Sequence, residues 1–210
     1  MSDSAHRPRL AIFARVPVLG HVKTRLAATV GDESALSVYE ALLAATLAEL
    51  VPGNGVFVPE VWVDGDVDAF ARWQCRSNAG AMRNLRFPLV AQSDGNLGQR
   101  MAAAFDDGVT VLVGSDIPDM TAGYVGTALR LLAVADIVIG PTEDGGYCLI
   151  GMNSPHPQLF EGIPWSTPAV LTSTIRAAGN LRLELLEAMW DLDDADDLAR
   201  WCRAPARPLG

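Results

Sequence analysis

From residue 9 onward, short apolar runs of strand character alternate with stretches whose apolar positions recur at helical spacing. Strands are predicted at "RLAIFAR" (9–15), "GVFVPEVWVD" (55–64), "RFPLVAQ" (86–92), "VTVLVGSD" (109–116) and "DIVIGP" (136–141). Helices are predicted between them at 33–50, 66–76, near 97–106 and at 122–133. After residue 141 the rhythm changes. A strand at "GGYCLIGM" (145–152) precedes a helix in "WSTPAVLTSTIRAAG", with a Ser/Thr cap, Pro168 in its first turn and Gly179 at its end. A last strand (181–187) and a last helix (194–203) follow.

Repeated strand–helix alternation predicts an α/β fold: a three-layer, Rossmann-like, mostly parallel mixed sheet with helices on both faces. A chain of 210 residues suits one domain, here 9–203, between a disordered N-terminal tail at 1–8 and a C-terminal tail at 204–210. No repeat, low-complexity tract or long linker divides it.

Composition narrows the function classes. The apolar run "ALRLLAVADIVIG" (128–140) contains charges and is too short to span a bilayer, so no membrane partner is expected. The polar start "MSDSAHRPRL" lacks a signal core, and a cytoplasmic location is the expectation. Cys75, Cys148 and Cys202 lack CxxC spacing, against a disulfide framework or zinc cluster. The formal net charge of −9, with scattered arginines, argues against nucleic acid. An anionic ligand would need a divalent cation and a few well-placed basic groups to offset that field.

In open α/β sheets the ligand crevice lies outside the carboxyl ends of the strands, so residues just after strands carry the chemistry. The loop "VPVLGHVKTRL" after the first strand contains Pro17, Gly20, Arg25 and Lys23, the only lysine of the chain. Turn residues, a helix start and two cations make a phosphate cradle by mechanism, although the spelling is neither GxxxxGK[ST] nor GxGxxG. A solvated helix start accounts for that segment alone equally well. In "VLVGSDIPDM" a strand delivers Asp116, a hard oxygen ligand for Mg²⁺ or Mn²⁺; Asp119 suits either a metal or a helix N-terminus. In "GPTEDGGYCLIG" Gly145 and Gly146 permit close ligand approach or a hairpin turn. Asp191 and Asp193 alternate around Leu192 and share one side if extended, leaving Asp193 a candidate ligand, whereas Asp194, Asp196 and Asp197 suit a helix cap and first turn. Gln92, Asn96 and Arg100 in "QSDGNLGQRM" could read a base or ribose, or cap a helix. The dispersed histidines and Ser115, which lacks the G-x-S-x-G elbow, carry no catalytic assignment.

In order, "ARVPVLGHVKTRL", "QSDGNLGQRM", "VGSDIPDM", "GPTEDGGYCLIGM", "LFEGIPWST" and "WDLDDADDL" resemble the bacterial radical-SAM/selenodomain-associated transferase 1 family, within the nucleotide-diphospho-sugar transferase superfamily of glycosyltransferase-A fold. The resemblance implies that Arg15, Lys23 and Arg25 face nucleotide phosphates, and that Asp116 holds a divalent metal with Asp193 as second ligand. It also implies that Asp144, Gly145, Gly146 and Tyr147, with Trp165 of the fifth motif, line the acceptor side. Family members usually carry Asp where this chain has Asn96.

The expected activity is metal-dependent transfer from a nucleotide-activated donor. The basic loop suits a long polyphosphate and "GSDIPD" lacks a D-x-D spelling, which favours nucleotidyl transfer from a nucleoside triphosphate to a small anionic acceptor. Lys23, Arg25 and Asp144 would be the catalytic groups. Glycosyl transfer from a nucleotide-diphospho-sugar, or a nucleotide-binding module without turnover, are the alternatives, and a homodimer is compatible with the sequence.

Overall fold

The structure, a computed structural model, describes residues 7–51, 55–76 and 85–203. The expected tails therefore fall outside the described residues, apart from Arg7 and Pro8, and so does His6. The Pro8 carbonyl accepts the Val58 N–H at 2.8 Å, which starts the sheet.

The elements follow the predicted order. They are β1 (Arg9–Arg15), α1 (Thr24–Val30), α2 (Asp32–Leu50), β2 (Val58–Asp64), α3 (Val67–Arg76), β3 (Leu89–Ala91), α4 (Leu97–Asp106) and β4 (Val111–Gly114), then α5 (Ala122–Leu131), β5 (Ile137–Pro141), β6 (Tyr147–Met152), α6 (Val170–Ala178), β7 (Leu183–Leu185) and α7 (Ala195–Arg203). A 3₁₀ turn at Pro157–Leu159 follows β6.

One seven-stranded sheet holds them in the order β3-β2-β1-β4-β6-β5-β7. All pairings are parallel except those of β6, which runs antiparallel to both β4 and β5. Side chains of β1 alternate between two cores because successive residues point to opposite faces. Leu10, Ile12 and Ala14 join Tyr39, Leu43 and Leu47 of α2 and Phe70 of α3. Ala11 and Phe13 join Met101, Ala104 and Phe105 of α4. A fully buried side chain such as Ile12 contributes roughly 2 kcal/mol of hydrophobic stabilisation, so both faces of this central strand hold it in place.

A third cluster forms apart from these two. Leu26 of α1, Ala35 and Leu42 of α2, and Trp190 and Leu192 bury together, with Leu198 and Trp201 of α7 packed against them. It joins the segment after β7 to the helix after β1. Among the described residues no helix is long and apolar enough to cross a membrane.

Two local expectations are corrected. The sixth helix begins at Val170 with Ala169 as its uncapped N-terminus, so Pro168 precedes it rather than occupying its first turn. Thr167 Oγ1 instead donates to the Pro164 carbonyl at 2.8 Å and accepts the Ala169 N–H at 3.3 Å, closing a local turn. The 55–64 strand starts at Val58, where pairing with Arg9 begins.

Candidate functional site

The β1–α1 loop is pinned on both sides of Lys23. Val22 is buried in the core under α2, and Leu26 is buried in the cluster with Trp190 and Leu192. The chain turns between these anchors with Lys23 in left-handed backbone (φ 49, ψ 45). Only one other non-glycine residue among those described does so, Ser166 at φ 64. Left-handed conformation costs a residue with a Cβ about 1–2 kcal/mol, and such residues persist where surrounding structure over-determines them. Both line the same cleft.

The Lys23 side chain is 4% exposed, and its Nζ lies 2.6 Å from Asp116 Oδ1 and 3.1 Å from Asp193 Oδ1. Burial works against the ammonium, yet the charges of Asp116 and Asp193 outweigh it and hold its pKa above the usual lysine value. Arg25, mostly exposed, pairs with Asp193 Oδ2. The lysine that the sequence offers as a free phosphate donor is thus a buried bridge between the two carboxylates it offers as metal ligands. Pro17 and Gly20 do not border the cleft; Gly20 (φ +75) completes a turn in which the His21 N–H donates to the Val18 carbonyl at 3.0 Å.

Asp191 and Asp193 arrive on a segment laid across the strand ends. Met189 donates its N–H to the Pro141 carbonyl at 2.9 Å, and Leu192, fully buried, donates to the Asp116 carbonyl at 3.0 Å. With Leu192 inside, its two neighbours turn to the cleft. Burial, then the charges of Asp193 and Asp144, push the Asp191 carboxyl well above the usual carboxylate range. Burial also opposes ionisation of Asp193, but Lys23 and Arg25 overcome it and hold that carboxyl below its usual value. Asp119 accepts the Trp190 indole N–H at 2.8 Å, a structural role. Asp194 Oδ1 accepts the Asp196 and Asp197 N–H groups, and Asp197 Oδ2 accepts those of Asp193 and Asp194, so these acids cap α7.

A second ionic node lies at the end of β2. Asp64 Oδ2 pairs with Arg100 Nη1 at 2.7 Å and with Arg15 Nε at 3.2 Å. Arg100 also donates to Gln92 Oε1 at 3.0 Å, while Gln92 Nε2 donates to the Trp62 carbonyl at 2.8 Å. Arg15 is anchored through its backbone: its N–H donates to the Tyr39 hydroxyl at 2.9 Å, and that hydroxyl donates to its carbonyl at 3.1 Å. Asn96 caps α4, its side chain accepting the Gln99 N–H at 3.0 Å while Gln99 Oε1 accepts the Asn96 N–H at 2.9 Å. That reciprocal box accounts for Asn96 without a ligand, although the residue borders the cleft.

The β5–β6 turn closes the other side. Asp144 Oδ1 accepts the Thr142 hydroxyl at 2.5 Å and the Gly146 N–H at 2.9 Å. Gly145 has φ +90, and a Cβ there would strike the Pro168 carbonyl. Its missing side chain admits the approach to α6 rather than a ligand, and Gly145 does not line the cleft. Gly146, Tyr147 and Trp165 do. The Tyr147 and Trp165 rings meet edge to face, with centroids 6.4 Å apart. Trp165 in turn lies over Gly98, where an added Cβ would come 2.7 Å from the indole.

These groups border one cleft of about 1050 Å³ at the carboxyl ends of β1 and β4, where the parallel sheet changes winding direction. Arg15, Lys23, Arg25 and Arg100 line it with Asp64, Asp116, Asp144, Asp191 and Asp193. No three His, Cys, Asp or Glu side chains among the described residues converge closely enough to hold a metal by themselves. The donor set fits a hard divalent cation in another form: one or two carboxylates, with phosphate oxygens and water completing the shell. Asp191, raised first by burial and then by the charges of Asp193 and Asp144, sits at the acidic side of the cleft. Sequence reasoning placed Asp191 and Asp193 on one side but carried only Asp193 forward as a ligand, and it passed over Asp64. An acid closing a strand, the rule that found Asp116, was the signal for Asp64.

A mixed sheet, parallel but for one strand, with an ionic cleft at its switch point defines an α/β fold of the glycosyltransferase-A-like type, shared with nucleotidyl- and glycosyltransferases. The family described as "Uncharacterized protein conserved in bacteria (DUF2064)" matches residues 46–167, and the chain belongs to that family. A protein of Desulfovibrio desulfuricans G20 designated a nucleotide-diphospho-sugar transferase is 32% identical over 93% of this chain and 86% of its own, with a TM-score of 0.81. The fold is also that of a nucleotidyl transferase from Methanothermobacter (13% identity, 93% and 95% covered, TM-score 0.58). Rv0371c of Mycobacterium tuberculosis H37Rv, in its complex with manganese, shares it too (15% identity, 94% and 100% covered, TM-score 0.50). No curated protein matches the chain.

Proposed function

We propose that the chain is a transferase for a nucleotide-activated donor, and that it transfers the nucleotidyl group of a nucleoside triphosphate with release of pyrophosphate. The observation that carries this reading is the convergence of Arg15, Lys23, Arg25 and Arg100, from three separate segments, on the cleft at the ends of β1 and β4. Four cations around one crevice suit a polyphosphate, whose charge needs several donors along its length.

The donor phosphates lie against these four groups, and no protein nucleophile is required. Asp116 and Asp193 would hold a divalent cation together with phosphate oxygens, and when bound it supplies charge neutralisation at the polyphosphate. The manganese of the distant Rv0371c structure motivates Mn²⁺ beside Mg²⁺ as the ion to try. Lys23 then releases one of its carboxylates and turns its ammonium to a phosphate, which a compact charge on a four-carbon stem can do. Asp144, fixed by Thr142 and Gly146, takes the acceptor proton. The acceptor oxygen bonds to the α-phosphorus, and pyrophosphate departs with the electron pair of the broken bond.

Glycosyl transfer is the second reading, favoured by the designation of the 32% identical Desulfovibrio protein. Both use the same donor half. Thermal-shift screening of nucleoside triphosphates and nucleotide sugars with Mg²⁺ or Mn²⁺, followed by phosphorus NMR, separates them. Pyrophosphate release is expected; nucleoside diphosphate release establishes glycosyl transfer, and binding without turnover leaves a nucleotide-binding module.

A further inference from the structure

The cleft is divided by charge along the sheet. Its four cationic side chains all precede β4 in the chain. From Leu112 to Asp193 no lysine, arginine or histidine among the described residues borders it. That half presents Thr142, Asp144, Ser166, Thr167 and Asp191 beside the Tyr147–Trp165 pair.

The carboxylates of the cleft also differ among themselves. Asp64, Asp116 and Asp193 each have a cationic partner. Among the described residues Asp144 and Asp191 have no such ion pair: Asp144 is held by a hydroxyl and a backbone N–H. Two arginines on that side of the sheet are engaged elsewhere. Arg200 forks onto Glu143 at 2.8 and 3.0 Å and stacks 4.3 Å from the Trp190 ring, and Arg182 chelates Asp136.

An acceptor carrying a phosphate or carboxylate would meet the Asp144 and Asp191 carboxyl groups, neither of which has a cationic partner of its own among the described residues. A polyhydroxyl compound meets complementary groups. Its hydroxyls donate to Asp144 and Asp191 and exchange hydrogen bonds with the Thr142, Ser166 and Thr167 side chains, and the aromatic pair offers an apolar face to its C–H surface. The rim is also preorganised, with Ser166 held in left-handed backbone and Trp165 pressed against Gly98.

We propose that the β5–β6 half of the cleft takes a non-anionic, sugar-like polyol as acceptor, and that one of its hydroxyls is the attacking group. This departs from the small anionic acceptor expected from the sequence, and it rests on the reading that the basic half holds the donor. The acceptor O–H gives its proton to Asp144, and its oxygen forms the new bond to phosphorus or to the anomeric carbon. Pyrophosphate or nucleoside diphosphate leaves with the electron pair of the bond that breaks.

The test uses the full chain saturated with the nucleotide giving the largest thermal shift, so that the basic half is filled. Saturation-transfer NMR then compares matched pairs: glucose with glucose 1-phosphate, glucosamine with glucuronate, glycerol with glycerol 3-phosphate. At least one uncharged or amino member is expected to bind about tenfold or more tightly than its anionic counterpart. Asp144→Asn is expected to shrink that ratio, and Asp144→Lys to reverse it. Tighter binding of the anionic members, binding of none, or a ratio that both variants leave unchanged overturns the assignment. If no nucleotide shifts the melting temperature, the donor reading fails by itself, and the pairs are compared on pyrophosphate-saturated protein.

Discussion

The ammonium of Lys23 lies 2.6 Å from Asp116 Oδ1, joining the loop after β1 to the end of β4 through a side chain that solvent barely reaches. Asp193 shares the same ammonium at 3.1 Å. One lysine thus bridges neighbouring strands and the segment before α7 at the point where the cleft opens.

Replacing Lys23 by Ala is expected to weaken binding of the best nucleoside triphosphate at least tenfold, about 1.4 kcal/mol. Lys23→Arg is not expected to restore it. The planar fork cannot occupy a 4%-exposed niche between two carboxylates as an ammonium does. Isothermal titration measures both, and wild-type affinity in Lys23→Ala would sink the phosphate role.

Asp116→Asn is expected to lower Mn²⁺ affinity in the presence of nucleotide by at least about tenfold while the circular dichroism spectrum is kept. Lys23 retains Asp193 as a partner in that variant, so its charge is not left alone in the protein. An unchanged Mn²⁺ titration followed by electron paramagnetic resonance removes Asp116 from the metal role.

Gly145 and Gly162 offer a controlled comparison. Both have positive φ, +90 and +66, but a Cβ at Gly145 meets the Pro168 carbonyl whereas one at Gly162 meets nothing within 4 Å. Gly145→Ala should destabilise by roughly 3 kcal/mol and Gly162→Ala by roughly 1 kcal/mol, the cost of the backbone conformation alone. Urea unfolding midpoints measure the difference; equal losses would refute the packing role of Gly145.

The three thiols should divide by environment. Cys75 and Cys202 are exposed, whereas Cys148 is buried in β6 and its thiol, held by burial, is pushed up to about 12. At pH 8 a chromogenic disulfide reagent should titrate two thiols rapidly and the third only in denaturant. Rapid reaction of all three would mean that β6 opens far more readily than its packing allows.

The Asp136–Arg182 pair is one local source of acid sensitivity. The hydrogen bonds and charge of Arg182 hold the Asp136 carboxyl down at about 2, below the value of about 3.9 for an unfolded Asp. A depressed folded-state pKa contributes stability that is complete above the unfolded value and is lost as pH falls from about 4 to about 2. Asp136→Asn should therefore lower the urea midpoint at pH 6 and differ progressively less from the wild type towards pH 2. A constant difference across that range would rule the pair out.

Much of the scaffold was legible because its signals are local. Continuous apolar runs in β1 and β4, helical spacing in α2 and α5, and the Asp194 cap of α7 arise from residues within a few positions of one another. The rule that ligand groups follow strands also drew attention to Lys23, Arg25 and Asp116 before their distances were known.

The rest depends on groups far apart in the chain. No periodicity marks β6 as antiparallel between β4 and β5, since its apolar run serves either direction. The bridge from Lys23 to Asp116 and Asp193 needs the left-handed turn set by Val22 and Leu26, together with the Leu192 hydrogen bond to Asp116. Asn96 and Gly145 were ambiguous between ligand and scaffold until Gln99 and Pro168 appeared beside them. The sequence by itself determined which elements form and where their ends carry charge, because propensity and spacing act over a few residues. Only the tertiary structure decided which charges meet and which half of the cleft lacks a cation, because Coulomb and packing energies depend on distances that long-range contacts set.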